Sequence, residues 1–497
     1  MTIQPWEKSS SLKWPIIVIG VLAISFGAFI GMIVGYSPNV YLPIAAAVGF
    51  IVAILTLANL EFGLLAFVFM TYIRLYNIIE LHGGPSLQLP FMAFLVLLIL
   101  IHWVIERHFP EISIKLVVLF SIFGVSTFLS YLYAGNMVDA QDALETFIKG
   151  GSVAVIVGLI FTKKEYMRGI VWTLVLVGGI LGSVSVFQYL TSSFTNDFWG
   201  FGTAVVENIV GGTNDYRLSG SLGDPNLFAM VMVVLVPLAL ERAFTEKKKI
   251  LKILAIYALI VIVMTIVFTF SRGGFLSLLV VIGFLVLWKK PPLTYLLIGL
   301  VLFILSFSIL PPSYTQRMAT LTDVFSQDTT EMRNEVSFRG RFSEAGVAWI
   351  MFRDHPIIGV GPGNYNSEYM NYSRQLGWDP RVEARGAHNL YLEVASEQGI
   401  VGLTIFLFIL YSVFAGLVRS SRKFKKLNQP GLADMSIALM IGFAGYCTAS
   451  IFLHNIFPYY LWMLIGIAFS LEKIADNEIK NPQIGITTPV IDGSLNE

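Results

Sequence analysis

Apolar runs of about 17–25 residues, each long enough to cross a hydrocarbon core of about 30 Å as a helix, recur from one end of this chain to the other. Within a bilayer every backbone polar group has to be satisfied inside its own segment, so runs of this kind form helices. There are fourteen, near 15–35, 41–58, 62–78, 89–105, 115–134, 146–161, 166–191, 225–242, 250–270, 274–288, 293–311, 397–418, 432–453 and 455–471. The expectation is an all-α polytopic membrane protein with about 14 transmembrane helices, within a range of 12–14. Composition agrees, since only 13% of the 497 residues are charged, against about a quarter in globular domains. The first run follows Lys8 and Lys13, has no small-residue cleavage site and is succeeded at once by another. It reads as an anchor and not a removed signal peptide.

A net charge of +1 excludes a nucleic-acid binder acting through bulk charge, yet the basic residues are far from evenly spread. Fourteen spans place Lys8, Lys13, Arg107, Lys163, Lys164, Arg168, Arg242, Lys247, Lys248, Lys249, Lys289, Lys290, Arg419, Arg422, Lys423, Lys425, Lys426, Lys473 and Lys480 on one side. By the positive-inside rule that side is the cytoplasm and holds both termini. The expected organisation is a cytoplasmic N-terminus at 1–14 and helices 1–11 over 15–311, with a middle outward loop at 192–224. A large extracytoplasmic loop with short helices follows at 312–396, then helices 12–14 over 397–471 and a flexible polar tail at 472–497. The single cysteine, Cys447, excludes an internal disulfide and a dithiol pair and reads as a small buried apolar residue.

The large loop contains no lysine but eight arginines, Arg317, Arg333, Arg339, Arg341, Arg353, Arg374, Arg381 and Arg385. A bias against exported positive charge depletes both residue types, so this imbalance favours the guanidinium itself, a donor fork suited to phosphate or carboxylate. The alternative is ordinary bridging of arginine to carboxylate inside a small folded unit. Apolar spacing predicts an amphipathic helix over Phe342–Asp354, with Trp349 and Phe352 suited to the interfacial layer. The stretch from His355 to Tyr365, with three glycines and two prolines, is a turn-rich loop without the Lys-Ser/Thr ending of a nucleotide-binding loop.

No aspartate pair occurs at the Asp-x-Asp spacing by which many sugar transferases hold a metal against a diphosphate, so neither a metal nor a cofactor is expected, and fixed side-chain cations would serve instead. Three outward arginines stand out. Arg217 lies just before the eighth span, Arg272 sits between two apolar segments in Ser271-Arg-Gly-Gly274, and Arg341 opens the amphipathic helix. A charge at membrane depth costs about 2.5–3.5 kcal/mol and is usually retained for a partner or a function. The plainer readings are an Arg272 that snorkels to the interface and an Arg217 bridged to Asp215 or Asp224. Of the outward histidines His82, His355, His388 and His454, only His388 has a distinctive setting. It precedes Asn389 and an apolar-periodic run that reads as a helix leading to Gly399-Ile-Val-Gly402 at the mouth of the twelfth span. There an imidazole could act as a general base toward an alcohol or hold a phosphate; a local capping histidine is the alternative. The other three read as structural.

Taken together, Arg217-Leu-Ser-Gly, Asp224-Pro-Asn-Leu-Phe-Ala229, Ser271-Arg-Gly-Gly274, Gly340-Arg-Phe with Trp349, His355-Pro-Ile-Ile-Gly-Val-Gly-Pro-Gly-Asn364, and His388-Asn389 with Gly399-Ile-Val-Gly402 resemble the O-antigen ligase and O-antigen polymerase family of bacterial surface-polysaccharide enzymes. The resemblance spans about 215–405 in motifs and the whole chain in topology, with two more spans than the usual count. It implies a GT-C-like, metal-independent, inverting glycosyltransferase of the bacterial inner membrane. Its donor would be a glycan on undecaprenyl diphosphate, and its acceptor a glycan or lipid-linked glycan, with the active site on the extracytoplasmic face. Carried over position by position, Arg217 and Arg272 would hold the diphosphate and His388 would activate the acceptor hydroxyl or position the diphosphate. Arg341, Asn389, Gly361 and Asn364 would contact diphosphate or glycan.

Family members include polymerases of lipid-linked repeat units, ligases acting on the lipid A core of lipopolysaccharide, and protein-glycosylating enzymes, and the same residues serve all three. The modest large loop and the lack of an appended C-terminal domain weigh toward an O-antigen or exopolysaccharide polymerase, whose partners could include a chain-length regulator and a flippase. A transporter would call for charges at mid-membrane and broken helices in two related halves, which the sequence does not display. An export scaffold is a further alternative.

Overall fold

Every predicted apolar run that falls within the described residues is helical. The computed structural model describes residues 41–107, 111–210, 213–294, 297, 301, 336–376, 385–454 and 459–480. The first predicted span, nearly all of the eleventh, and Arg317, Arg333 and Arg381 lie outside them, as does the side chain of Arg339. The helices are α1 (Tyr41–Ala58), α2 (Leu60–Ile73), α3 (Leu75–Leu81), α4 (Gln88–Glu106), α5 (Ile114–Tyr131), α6 (Met137–Ile160), α7 (Tyr166–Leu190), α8 (Pro225–Thr245), α9 (Lys249–Phe268), α10 (Arg272–Lys289), α11 (Val336–Asp354), α12 (Tyr365–Leu376), α13 (Leu390–Lys426), α14 (Pro430–Ala449) and α15 (Tyr459–Lys480). Among the described residues nine are long and apolar enough to span a membrane, or ten if the bent pair α2 and α3 is one span. The protein is thus a polytopic helical membrane protein.

α8 is apolar on all sides because it is surrounded: it packs on α7, α9, α10 and α14, and residues Phe228–Ala239 are buried throughout. Small residues permit the close approaches that membrane helices use in place of a hydrophobic driving force. A Cβ on Gly182 would lie 2.9 Å from a methyl of Val261, and one on Gly178 2.7 Å from Ile262, so α7 meets α9 nearly backbone to backbone.

The structure departs from the sequence expectation in four places. The middle loop contains a two-stranded antiparallel hairpin, β1 (Thr203–Val210) and β2 (Thr213–Gly220), with Val205 opposite Arg217. The sixth helix begins at Met137 rather than near 146, because the Asn136 side chain accepts from Val138 N and Asp139 N and acidic residues suit a helix start. The third span breaks by 58° at Arg74, whose φ of 58° leaves the helical region. Finally, the stretch from 472 to Lys480 is helix and not flexible tail, fixed by ion pairs of Glu472 with Arg419 and Lys115, Asp476 with Lys423, and Glu478 with Lys164.

These ion pairs share one end of the bundle with Lys289–Asp434, Arg168–Glu246 and Arg242–Glu241. That end holds the C-termini of α8, α10 and α13. Their N-termini, and the C-terminus of α14, therefore meet at the opposite end.

Candidate active site

At that opposite end the motifs resolve into capped helix starts. Asp224 caps α8, accepting from Asn226 N at 2.7 Å and Leu227 N at 2.8 Å, with Pro225 in the first turn. Ser271 caps α10, its hydroxyl accepting from Gly274 N at 3.2 Å. The two caps are tied together through Asn226 Oδ1, which accepts from Ser271 Oγ at 2.9 Å and from Arg217 Nη2 at 2.9 Å. Arg217 is 2% exposed and its Nε also donates to Thr269 O at 2.9 Å. The hairpin thus delivers a buried guanidinium to the junction of two helix N-termini, where the helix dipoles already favour an anion. Arg272 is the first residue of α10 and half-buried. Arg74, at the break of the third span, donates to Leu222 O at 3.1 Å and so braces the loop that carries Asp224.

Arg341 comes to the same place from α11. It lines a narrow crevice together with Asn226, Ser271, Gly273, Gly274, Phe452 and Leu453. Burial, and then the neighbouring charge of Arg272 and that of Arg217, disfavour its charged form, while Glu344 and Asp224 favour it. Guanidinium groups stay protonated in proteins, so crowding them here leaves a strong attraction for an anion. Glu344, fully buried one turn along α11, pairs with Arg385 at 2.7 Å and docks α11 onto the segment leading to His388.

His388 directly precedes α13, whose cap is Asn389, its side chain accepting from Tyr391 N and Leu392 N at 3.0 Å. The histidine backbone lies at φ 44°, in the left-handed region, a conformation that costs of order 1–3 kcal/mol and concentrates at functional sites. Burial, reinforced by Arg341 and Arg385 and opposed by Asp224, pushes its pKa down to about 4. The imidazole is therefore neutral and able to accept a proton. Its Nδ1 lies 3.2 Å from Nδ1 of His454, a residue that sequence reasoning left as structural.

The structure thus brings Arg217, Arg272, Arg341 and His388 to one end of the bundle, with Asn389 as the adjoining cap. Gly361 and Asn364 have packing roles in the turn-rich loop. Gly361, at φ 110°, donates to Glu397 O at 3.0 Å and abuts Ala134, where a Cβ would fall 2.7 Å from its Cα. Asn364 is fully buried, accepting from Asn136 N at 2.7 Å and donating to Asn136 O at 3.0 Å. The loop is thereby stapled to the start of α6 and to α13, which is broken beside it at Gly399, with φ 62°. Of the eight loop arginines, Arg353 and Arg385 show the ordinary carboxylate bridging that the sequence left open, to Asp354 and Glu344. A wider cleft of about 440 Å³, lined by residues that include Tyr133, His355, Glu368 and Tyr372, contains none of the four site residues.

No curated protein matches the chain. Residues 227–407 match the family model described as O-antigen ligase, a segment that takes in Arg272, Arg341, Gly361, Asn364, His388 and Asn389 and leaves Arg217 and His454 outside. The part of the chain that carries most of the site is thus similar to the O-antigen ligase family, in line with the resemblance that the motifs carry.

Proposed function

We propose that the protein is a membrane glycosyltransferase that joins oligosaccharide repeat units carried on undecaprenyl diphosphate into a surface polysaccharide. The observation that carries this reading is the convergence of three guanidinium groups and a neutral imidazole at one helix-capped end of the bundle. A glycosyl diphosphate departs with growing negative charge. Preorganised Arg217, Arg272 and Arg341 in a poorly hydrated site stabilise that charge more in the transition state than in the ground state. His388 removes the proton from the attacking hydroxyl as the new glycosidic bond forms and the bond to the diphosphate breaks, and a single displacement inverts the anomeric carbon. The site end is the one read as extracytoplasmic, opposite the lysine-rich ends. The protein would then sit in the bacterial inner membrane with both termini in the cytoplasm and take its lipid-linked donor from the outer leaflet. The fixed cations make the step metal-independent, and synthesis is expected to persist in EDTA.

The matched family is described as O-antigen ligase, and a ligase is the second reading: transfer of a finished lipid-linked glycan to lipid A core. Expression in a strain lacking its own polymerase separates the two. A polymerase restores long polymer and consumes single lipid-linked units; a ligase leaves single units in place and restores capped lipid A only in a ligase-deficient strain. Neither result in either strain would sink both readings.

The lowered pKa of His388 also sets a pH dependence. The basic form persists above the folded pKa, so kcat/KM in proteoliposomes is expected to stay level from pH 7.5 down to about pH 5.5 and to fall as pH approaches about 4. A fall centred near the ordinary histidine value of about 6.5 would contradict a buried neutral base.

A further inference from the structure

His454 lies outside the family match and outside the motifs described above, yet it makes the closest polar contact shown for His388. The two Nδ1 atoms are 3.2 Å apart and the rings meet edge to face, with centroids 4.6 Å apart at 82°. Two nitrogens at that distance share one hydrogen, so one imidazole donates and the other accepts. The contact is built on both sides. A Cβ on Gly386 would lie 2.6 Å from Nε2 of His454, so the glycine leaves room for the ring. The end of α14 that leads to His454 is tied to the first turn of α13 by Leu390 N donating to Ser450 O at 2.9 Å and Tyr391 Oη donating to Cys447 O at 2.8 Å.

We propose that His454 is a positioning residue for His388: its Nδ1 accepts the hydrogen on His388 Nδ1 and holds the imidazole with Nε2 as the basic atom. The inference rests on the reading of His388 as the base. During transfer Nε2 takes the acceptor's hydroxyl proton, the oxygen bonds to the anomeric carbon, and the electron pair of the breaking bond leaves on the diphosphate. His388 becomes an imidazolium whose Nδ1–H still points at a neutral His454. The ring that orients a base commonly fixes its tautomer in this way. The charged groups facing the pair are Arg341 and Glu344 from α11, Asp224 from the start of α8, and Arg385 from the segment before His388. Burial, and then His388, push His454 down to about 4 as well, so the accepting lone pair is retained at neutral pH.

The test uses the full-length chain in cells lacking their own copy of the gene, with rates of polymer formation read in isolated membranes at equal protein abundance. His454→Ala is expected to slow synthesis at least about 10- to 100-fold, the scale seen when a metal-bound histidine loses the partner that fixes its tautomer. His454→Asn, whose amide oxygen can stand where Nδ1 stood, is expected to recover activity to within a few-fold and to keep the wild-type acid limb. His454→Phe, which keeps the ring's bulk without an acceptor, is expected to stay slow. Recovery by Phe, failure of Asn, or wild-type rates in His454→Ala would each overturn the positioning role. His388→Ala, run alongside, separates the two layers: if it is fully active the base assignment itself fails, and if it is inactive while His454→Ala is normal only the present inference fails.

Discussion

Arg272→Ala is expected to slow glycan transfer by about 10²–10³-fold, the cost of removing one preorganised donor from a developing anion, and to leave single lipid-linked units accumulating in the membrane. Arg272 is suited to this measurement because it is half-buried on the first turn of α10, whose cap Ser271 stays in place without it. Arg217 is less suited, since its guanidinium also joins the hairpin to Thr269 and Asn226 and its loss would unsettle the junction. Lysine at 272 keeps the charge but not the fork, so Arg272→Lys is expected to fall between Ala and wild type. A rate set by charge alone would instead make Lys equal to Arg.

The second large effect belongs to His388. His388→Ala removes the general base, and a loss of about 10²–10⁴-fold is expected. It should also erase the acid limb of the pH profile, because the group whose pKa burial pushes down to about 4 is gone. A slow variant that retained the wild-type limb would assign the titration to another group. His388 occupies a left-handed backbone conformation that glycine adopts freely and alanine does not. His388→Gly therefore serves as the control for backbone strain, and it should be as slow as His388→Ala.

Much of this arrangement was legible in the sequence because hydropathy and capping are local. Among the described residues helices lie where the apolar runs lie, and Asp224-Pro225-Asn226 and Ser271-Arg-Gly-Gly274 start helices as such residues do. The site residues that local patterns pointed to, Arg217, Arg272, Arg341 and His388, do meet, since α8, α10 and α13 all begin at the same end. Other features were written less plainly. The hairpin had a signal, Gly211-Gly212 between two runs that each continue as strand, which is a two-residue turn pattern; it was masked by the apolar segments around it. The pairing of Asn364 with Asn136 joins residues 228 positions apart, and that of His454 with His388 spans 66. Neither has a periodicity to betray it. The break at Arg74 had no proline or glycine to announce it; its guanidinium is held locally by Asn77 and, 148 positions away, by Leu222 O, a contact that no local pattern shows.

Joint action of Arg272 and His388 on a diphosphate-linked glycan is measurable by single-turnover transfer in proteoliposomes charged with undecaprenyl-diphosphate-linked repeat units, comparing wild type, Arg272→Ala, His388→Ala and the double variant. Residues that act on one transition state are far from additive, so the double variant is expected to be little slower than the slower single one. Additive losses would mean that the two residues serve separate steps, and wild-type rates in either single variant would contradict the site.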